Sequence, residues 1–146
     1  MQVVNRKALH QYEVLERYVA GLVLEGAEVK SLRAGGGQIQ DAFCVFREGE
    51  LYVANMYIAP YERAGYAQPP ARRMRKLLLR AEELRRLRGK LTQKGLTLVP
   101  LRLFFNERGW AKLEIALVRG KAQYDRRRSI QEREEKRRLE RLRKRF

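Results

Sequence analysis

Two patterns in the sequence predict a mainly β fold with a few short helices, and a third predicts a basic C-terminal tail. A long segment near the N-terminus alternates apolar and polar residues, as a half-buried strand does. Farther along, two pairs of segments rich in β-branched and aromatic residues are each joined by a short glycine-containing turn, which is typical of β-hairpins. The last part of the chain, 119–146, holds 13 Lys or Arg against 5 Asp or Glu and has few apolar groups. That composition cannot build a core by itself.

The alternating segment is 12–24, YEVLERYVAGLVL, in which apolar groups favour the even positions. This period of two predicts a long strand, and Gly21 inside it predicts a bend or a bulge. The next stretch, GAEVKSLRA, does not alternate, and its apolar residues Val29 and Leu32 lie three positions apart. It therefore predicts a short helix, which the glycines at 35–37 end.

The first predicted hairpin consists of QIQDAFCVF and ELYVANMYI, joined by Glu48 and Gly49. Pro60 ends the second arm. The following segment, 61–76, contains a glycine, two prolines and five Arg or Lys. It predicts a mobile basic loop.

A helix and a second hairpin are predicted next. Residues 77–79 fit a strand or a helix, and an apolar stripe then predicts a helix from about 80 to 92. The second hairpin pairs LTLVPLRLFF with WAKLEIALV through the turn NERG. Its second arm alternates, so one face is expected to be solvated, with Lys112, Glu114 and Ala116 on it. Pro100 in the first arm indicates an edge strand or a bulge.

Together these segments predict about five to seven strands and two short helices. Short strands, a glycine that lets a strand curl and the absence of a βαβ rhythm favour a small antiparallel barrel of the oligonucleotide-binding type. A sandwich or an open sheet is the alternative. We expect a barrel domain over 1–119 and a basic tail over 120–146.

Charge pairs in the tail predict a conditional helix. Three pairs place an acid four residues before a base: Glu132 and Lys136, Glu134 and Arg138, and Glu140 and Lys144. Each pair adds about 0.2–0.5 kcal/mol to a helix, and the few large apolar groups cannot offset the entropy of ordering it. We expect a tail that is disordered when free and helical when phosphates neutralise its cations. A coiled coil or a solvated helix is the alternative, but no heptad pattern is sustained.

The chain carries 33 Lys or Arg against 17 Asp or Glu, a formal net charge of +16. Such an excess indicates a polyanionic partner, a nucleic acid first and an anionic membrane surface second. Cys44 is the only cysteine, which fits a reducing compartment. No apolar run reaches the roughly 20 residues of a transmembrane helix, and the N-terminus lacks the apolar region of a signal peptide. We expect a soluble, cytoplasmic protein.

Enzymatic chemistry is not predicted. His10 is the only histidine, which excludes a His-based triad or a multi-His metal site within one chain. Cys44 lies in a predicted strand and is expected to be a small core residue. The sequence contains neither GxxxxGK[ST] nor GxGxxG, and the glycines at 35–37 fit a plain turn better than a phosphate cradle. The sequence therefore predicts a binding protein without a metal or cofactor.

Candidate RNA-binding residues lie before the first long strand and on the first predicted helix. Four polar or charged residues precede the strand: Asn5, Arg6, Lys7 and His10. Three charged residues lie on the helix, with a solvated charge as the alternative interpretation of each: Glu28, Lys30 and Arg33. Since Glu28 and Arg33 are five positions apart, each needs its own partner. Three tyrosines near basic residues could stack on bases or fill buried positions at the rim: Tyr61, Tyr66 and Tyr124.

Several stretches resemble the SmpB family, the SsrA-binding proteins of bacteria. They are NRKALHQYEVLERYVAGLVLEGAEVKSLRAG, DAFCVF, YIAPYE, QKGLTLVPLRLFFNERGWAKLEIALVRGK and YDRRRSIQERE. The resemblance runs from about 5 to 134, and EVKSLRAG and KGLTLVPLRLFFNERG are specific to that family.

The resemblance implies an oligonucleotide-binding-type barrel that binds the tRNA-like part of transfer-messenger RNA near its elbow and replaces the missing anticodon stem. The implied process is trans-translation, which rescues ribosomes stalled on mRNA without a stop codon. The implied partners are transfer-messenger RNA, the 70S ribosome and, with alanyl-charged transfer-messenger RNA, elongation factor Tu. The tail would enter the decoding centre and the empty mRNA channel of the small subunit and fold there as a helix.

Residue types and the resemblance together assign two sets of residues. The RNA-binding set is Asn5, Arg6, Lys7, His10, Glu28, Lys30, Arg33, Lys112 and Lys121. The set for the decoding centre and mRNA channel is Tyr124, Asp125, Arg126, Arg127, Arg128, Arg133, Arg137 and Arg138. Two other hypotheses stay open: a ribosomal or general RNA-binding protein, and a membrane-surface protein anchored by its tail. The weak apolar face of the tail argues against the last.

Overall fold

The computed structural model describes residues 1–61 and 68–120, together with Arg137, Arg138 and Arg141. Within residues 1–61 and 68–120 there are nine strands and three helices. The strands are β1 Gln2–Val4, β2 Tyr12–Leu22, β3 Gly37–Gln38, β4 Phe43–Arg47, β5 Glu50–Ala54, β6 Tyr57–Ile58, β7 Arg75–Leu78, β8 Leu96–Phe105 and β9 Ala111–Gly120. The helices are α1 Arg6–Gln11, α2 Gly26–Arg33 and α3 Ala81–Lys90.

Seven of the strands form one antiparallel sheet in the order β1-β8-β4-β5-β7-β2-β9. Because β8 also pairs with β9, six of these strands are joined in a ring. The ring is uneven: β2 and β9 pair along most of their length, whereas β4 and β8 meet only where Cys44 faces Leu98. The structure thus confirms a mainly β, antiparallel architecture with short helices.

The first predicted hairpin is present, but its arms are shorter than expected. Glu48 and Gly49 join β4 to β5 with φ angles of 52° and 82°, as tight hairpin turns require. Asn55 also has a positive φ, 59°, just after β5. The outer parts of the predicted arms form a separate two-stranded sheet, β3 with β6.

The predicted irregularities lie in β2 and β8. The register of β8 against β9 shifts between Pro100 and Arg102, so the predicted bulge at Pro100 is confirmed. In β2 the shift falls between Val14 and Glu16, and not at Gly21. Gly21 instead faces both β7 and β9, and a Cβ there would lie 3.3 Å from the Cβ of Leu78. The glycine therefore allows a close approach of β7.

Apolar side chains pack on both sides of the sheet. The main core lies inside the ring and includes Leu98, Leu113 and Ile115. A smaller cluster lies on the outer side, where Ala8 of α1 contacts residues of β8 and β9, among them Ala116. The expected solvated face of β9 is therefore wrong at Ala116, because α1 covers that half of the strand.

Three elements depart from the sequence-based prediction. Strand β1 and helix α1 were not predicted, because the sequence analysis assigned no secondary structure before the first long strand. Strand β7 begins at Arg75, inside the segment expected to be a loop. Arg75 is fully buried, so the basic-loop prediction is wrong for its last residues. Residues 62–67 of that segment lie outside the described ranges.

Candidate nucleic-acid interface

Asn5 is buried and all of its polar atoms are engaged inside the protein. Its Oδ1 accepts a hydrogen bond from the Ala8 amide at 3.1 Å, which caps α1. Its Nδ2 donates to the Pro100 carbonyl at 2.8 Å and to the Ile39 carbonyl at 3.2 Å. Asn5 therefore fixes α1 to the sheet and does not present its amide to a ligand.

We expect Asn5→Ala to lower the free energy of unfolding by about 2–4 kcal/mol, since it removes a helix cap and leaves buried carbonyls without a donor. Denaturant titration of the purified variant measures this loss. His10→Ala, at an exposed position on the same helix, is the control and is expected to change stability by less than about 0.5 kcal/mol. Equal denaturant midpoints for Asn5→Ala and His10→Ala would contradict the structural role of Asn5.

The outward side of α1 presents the remaining members of the N-terminal set. Arg6, Lys7 and His10 are exposed, and Lys7 forms a 3.0 Å ion pair with Asp41 whose two side chains are about half exposed. A cavity of about 220 Å³ opens beside this pair, with Tyr12 among its lining residues. These exposed side chains can reach a phosphate without any rearrangement of the core.

Glu28 is also buried, with 3% of its surface exposed. It binds the guanidinium groups of Arg73 and Arg75, and one of its oxygens accepts the Glu25 amide at 3.0 Å. Burial alone would raise the pKa of Glu28, but the hydrogen bonds from Arg73, the Glu25 amide and Arg75 lower it below its usual value. The alternative interpretation as a solvated charge is therefore wrong for Glu28.

Arg75 makes further hydrogen bonds that tie separate segments together. Its guanidinium donates to the carbonyls of Met56 at 2.6 Å and Ala71 at 3.0 Å, besides the 2.6 Å bond to Glu28. The Ile58 amide binds the same Ala71 carbonyl at 2.9 Å. This buried network fixes α2 to the residue before β6, to Ala71 and to the start of β7.

Lys30 and Arg33 are exposed on α2. The Arg33 guanidinium lies 4.9 Å from the ring centre of Phe105, at the end of β8. This cation–π contact places the charge of Arg33 beside the turn between β8 and β9. Lys30 and Arg33 are therefore accessible to a ligand, as their place in the predicted RNA-binding set requires.

Lys112 lies in an open groove of about 460 Å³ that the sequence did not reveal. Val19 and Leu78 also line it, and each exposes 52% of its surface. The available signal was Val19 itself, an apolar residue at an odd position of a strand whose even positions are the more buried ones. We call Val19, Leu78 and Lys112 the Lys112 groove.

Charged groups continue along the outer face of the sheet beside the Lys112 groove. Glu114 accepts from Arg17 at 3.1 Å and from Arg102 at 3.4 Å. The Arg102 guanidinium also lies 4.1 Å from the ring centre of Phe104. The carboxylate of Glu114 therefore holds the guanidinium groups of Arg17 and Arg102 in place, and the two positive charges outnumber its negative one.

A match to the SmpB protein family spans residues 2–145. The chain belongs to the SmpB family. Among its relatives, an SsrA-binding protein of Thermus thermophilus is 56% identical over 138 residues, which cover 94% of this chain and 96% of the relative. An SsrA-binding protein of Parabacteroides distasonis is 48% identical, with 99% and 95% covered.

The fold is also similar to that of an SmpB solved structure, described as "tmRNA-SmpB: a journey to the center of the bacterial ribosome". The two chains share 58% sequence identity and a TM-score of 0.69. The similarity covers 82% of this chain and 84% of the other. At 58% identity the two chains are similar in sequence as well as in fold.

Most of the tail assignments of this SmpB family member fall outside the described residues: Lys121, Tyr124, Asp125, Arg126, Arg127, Arg128 and Arg133. Arg137 and Arg138 are described, and both are helical and exposed. Tyr66 is also outside the described ranges, while Tyr61 is half-buried.

Cys44 is buried, and burial raises the pKa of its thiol, which confirms its interpretation as a small core residue. Within residues 1–61 and 68–120, no three His, Cys, Asp or Glu side chains come together as metal ligands would. Among the helices that the structure describes, none has the length and apolar character to span a membrane.

Proposed function

We propose that this chain binds transfer-messenger RNA and brings it to stalled ribosomes in trans-translation. The observation that carries the proposal is the 58% identity and shared fold with a chain of a tmRNA–SmpB structure on the bacterial ribosome. The names of the relatives as SsrA-binding proteins support it. The net charge of +16 suits a partner made of phosphates. The chain's role is binding without catalysis, and elongation factor Tu is a further partner that the family resemblance predicts.

We propose that residues 1–119 form a barrel of the oligonucleotide-binding type and that 120–146 form a separate basic tail. The six-stranded ring supports the barrel assignment, since such barrels are small, partly open and antiparallel. The end of β9 at Gly120, one residue past this division, supports a boundary at this point of the chain. In this proposal the tail, from Tyr124 to the arginines at 137 and 138, occupies the decoding centre and the mRNA channel as a helix.

The proposed RNA surface consists of the five exposed members of the predicted set and the half-buried Lys112: Arg6, Lys7, His10, Lys30, Arg33 and Lys112. Asn5 and Glu28 support it from within the fold. The Lys112 groove joins a cation to two exposed apolar side chains. Such a mixture suits RNA because sugars and bases present apolar surface beside each phosphate. We therefore place an RNA contact at this groove.

We expect Lys112→Ala to weaken binding of transfer-messenger RNA several-fold and to reduce the slope of log K against log salt concentration by about 1, as loss of one phosphate contact does. Filter binding at three or four salt concentrations measures both quantities. Lys94→Ala, at an exposed lysine outside the groove, is the matched control and should leave the slope unchanged. If Lys112→Ala and Lys94→Ala give identical salt slopes, Lys112 does not contact an RNA phosphate.

A reconstituted translation reaction on an mRNA without a stop codon tests the function itself. With alanyl-charged transfer-messenger RNA present, peptide tagging is expected only when this protein is added. If tagging proceeds equally without it, the proposal is wrong. If the protein binds many RNAs alike and never supports tagging, it is a general RNA-binding protein.

A further inference from the structure

Trp110 is the only tryptophan in the chain and the most exposed large apolar side chain among the described residues, with 67% of its surface exposed. It lies directly before β9, at the end of the turn that follows β8. Leaving an indole in water forgoes the stabilisation that its burial gives. Because the indole combines a large apolar face with a polar N–H group, an exposed tryptophan is suited to contact a binding partner.

The backbone beneath Trp110 is held firmly. The Asn106 side-chain oxygen accepts hydrogen bonds from the Trp110 amide at 2.9 Å and the Arg108 amide at 3.1 Å. The Asn106 amide donates to the Trp110 carbonyl at 3.0 Å, and Gly109 provides the positive φ of 80° that closes the turn. The indole is thus presented on an ordered turn, which lowers the entropy that a contact would cost.

The neighbours of Trp110 are mainly cationic. Arg108 lies in the same turn, and Lys112 follows two residues later on β9. Arg33 approaches from α2: a Cβ built on Gly109 would lie 3.4 Å from its guanidinium. Glu107 is the one exposed acid of the turn. An exposed flat ring beside three cations suits a nucleotide better than it suits an apolar protein surface, where several exposed apolar groups would be expected together.

We propose that Trp110 is a stacking platform for an unpaired base of the bound RNA, with Arg33, Arg108 and Lys112 binding the phosphates beside that base. This inference rests on the proposed RNA-binding function and adds a residue that neither polarity nor the resemblance assigned. A base stacked on an aromatic ring contributes about tenfold or more to affinity. The contact tolerates any base, because every base has a flat face.

The single tryptophan makes the test direct. Emission from Trp110, excited at a wavelength that tyrosine does not absorb, is followed while the full-length protein is titrated with transfer-messenger RNA. Filter binding on the same samples gives the bound fraction independently. We expect the emission to be quenched in proportion to that fraction and to become protected from a soluble quencher.

Two variants complete the experiment. Trp110→Phe keeps a flat ring and is expected to lose little affinity, whereas Trp110→Ala is expected to lose about tenfold. Since the side chain is exposed, both should keep the denaturant midpoint of the parent protein. Two results would overturn this inference: Trp110 emission that stays unchanged when the protein is saturated with RNA, or full RNA affinity of Trp110→Ala. Either result leaves the proposed function intact. A change of emission seen only when ribosomal proteins are added would not rescue the inference. Absence of any RNA binding overturns both.

Discussion

Glu28→Ala is expected to lower the free energy of unfolding by about 3–5 kcal/mol, because it leaves the guanidinium of Arg75 buried without its anion. Arg75 has no exposed surface and Glu28 only 3%. The remaining partners of Arg75 are carbonyl oxygens, which cannot replace a carboxylate charge. Urea or guanidinium titration followed by circular dichroism measures the loss.

An exposed ion pair of the same sheet provides the control. Glu50 and Lys76 lie 3.0 Å apart, and each side chain exposes more than two fifths of its surface. Exposed pairs contribute little to stability, so Glu50→Ala should leave the midpoint nearly unchanged. The assignment is wrong if Glu28→Ala has the same denaturant midpoint as Glu50→Ala but binds RNA more weakly than the parent protein. In that case Glu28 contacts RNA, and the buried network is not important for stability.

Removal of all residues after Gly120 is expected to abolish tagging on stalled ribosomes while binding of transfer-messenger RNA persists. The cut follows the last residue of β9, whose pairing with Tyr12 completes the β2–β9 ladder, so every strand and helix between 1 and 120 keeps its contacts. The removed segment carries the basic residues proposed to enter the mRNA channel. RNA binding by filter assay and tagging in reconstituted translation measure the two activities separately.

A charge-matched variant separates sequence from charge in the tail. In it, residues 121–146 are kept in number and composition but placed in scrambled order. We expect this variant to bind RNA like the parent and to tag no better than the truncated protein. Loss of RNA binding on truncation, with recovery by the scrambled tail, would instead make the tail a general RNA-binding element.

Local patterns in the sequence were sufficient for the long strands and two of the helices. The alternation of 12–24 gave β2, and the apolar spacing around Leu32 and Leu87 gave α2 and α3. Helix α1 was missed because it has six residues and buries only Ala8, so it shows no apolar stripe. For β7, residues 77–79 fitted a strand or a helix, and its start was missed because its first inward residue is Arg75, a charge in a position where the pattern requires an apolar group.

The candidate site was harder to predict because polarity does not reveal burial. Glu28 owes its burial to arginines 45 and 47 residues away in the sequence, and Asn5 owes its burial to a carbonyl 95 residues away. Conversely, Val19, Leu78 and Trp110 are apolar yet exposed. The sequence pointed to charged residues, Asn5 and tyrosines for the interface, and our proposals add these exposed apolar residues.

The most direct test of the central proposal is the affinity of the full-length protein for transfer-messenger RNA against that for an unrelated structured RNA of equal length. Both are measured at physiological salt, where contacts with phosphates alone are weak. We expect saturable one-to-one binding of transfer-messenger RNA that an excess of the unrelated RNA does not displace. Equal affinities for the two RNAs would contradict the proposed function.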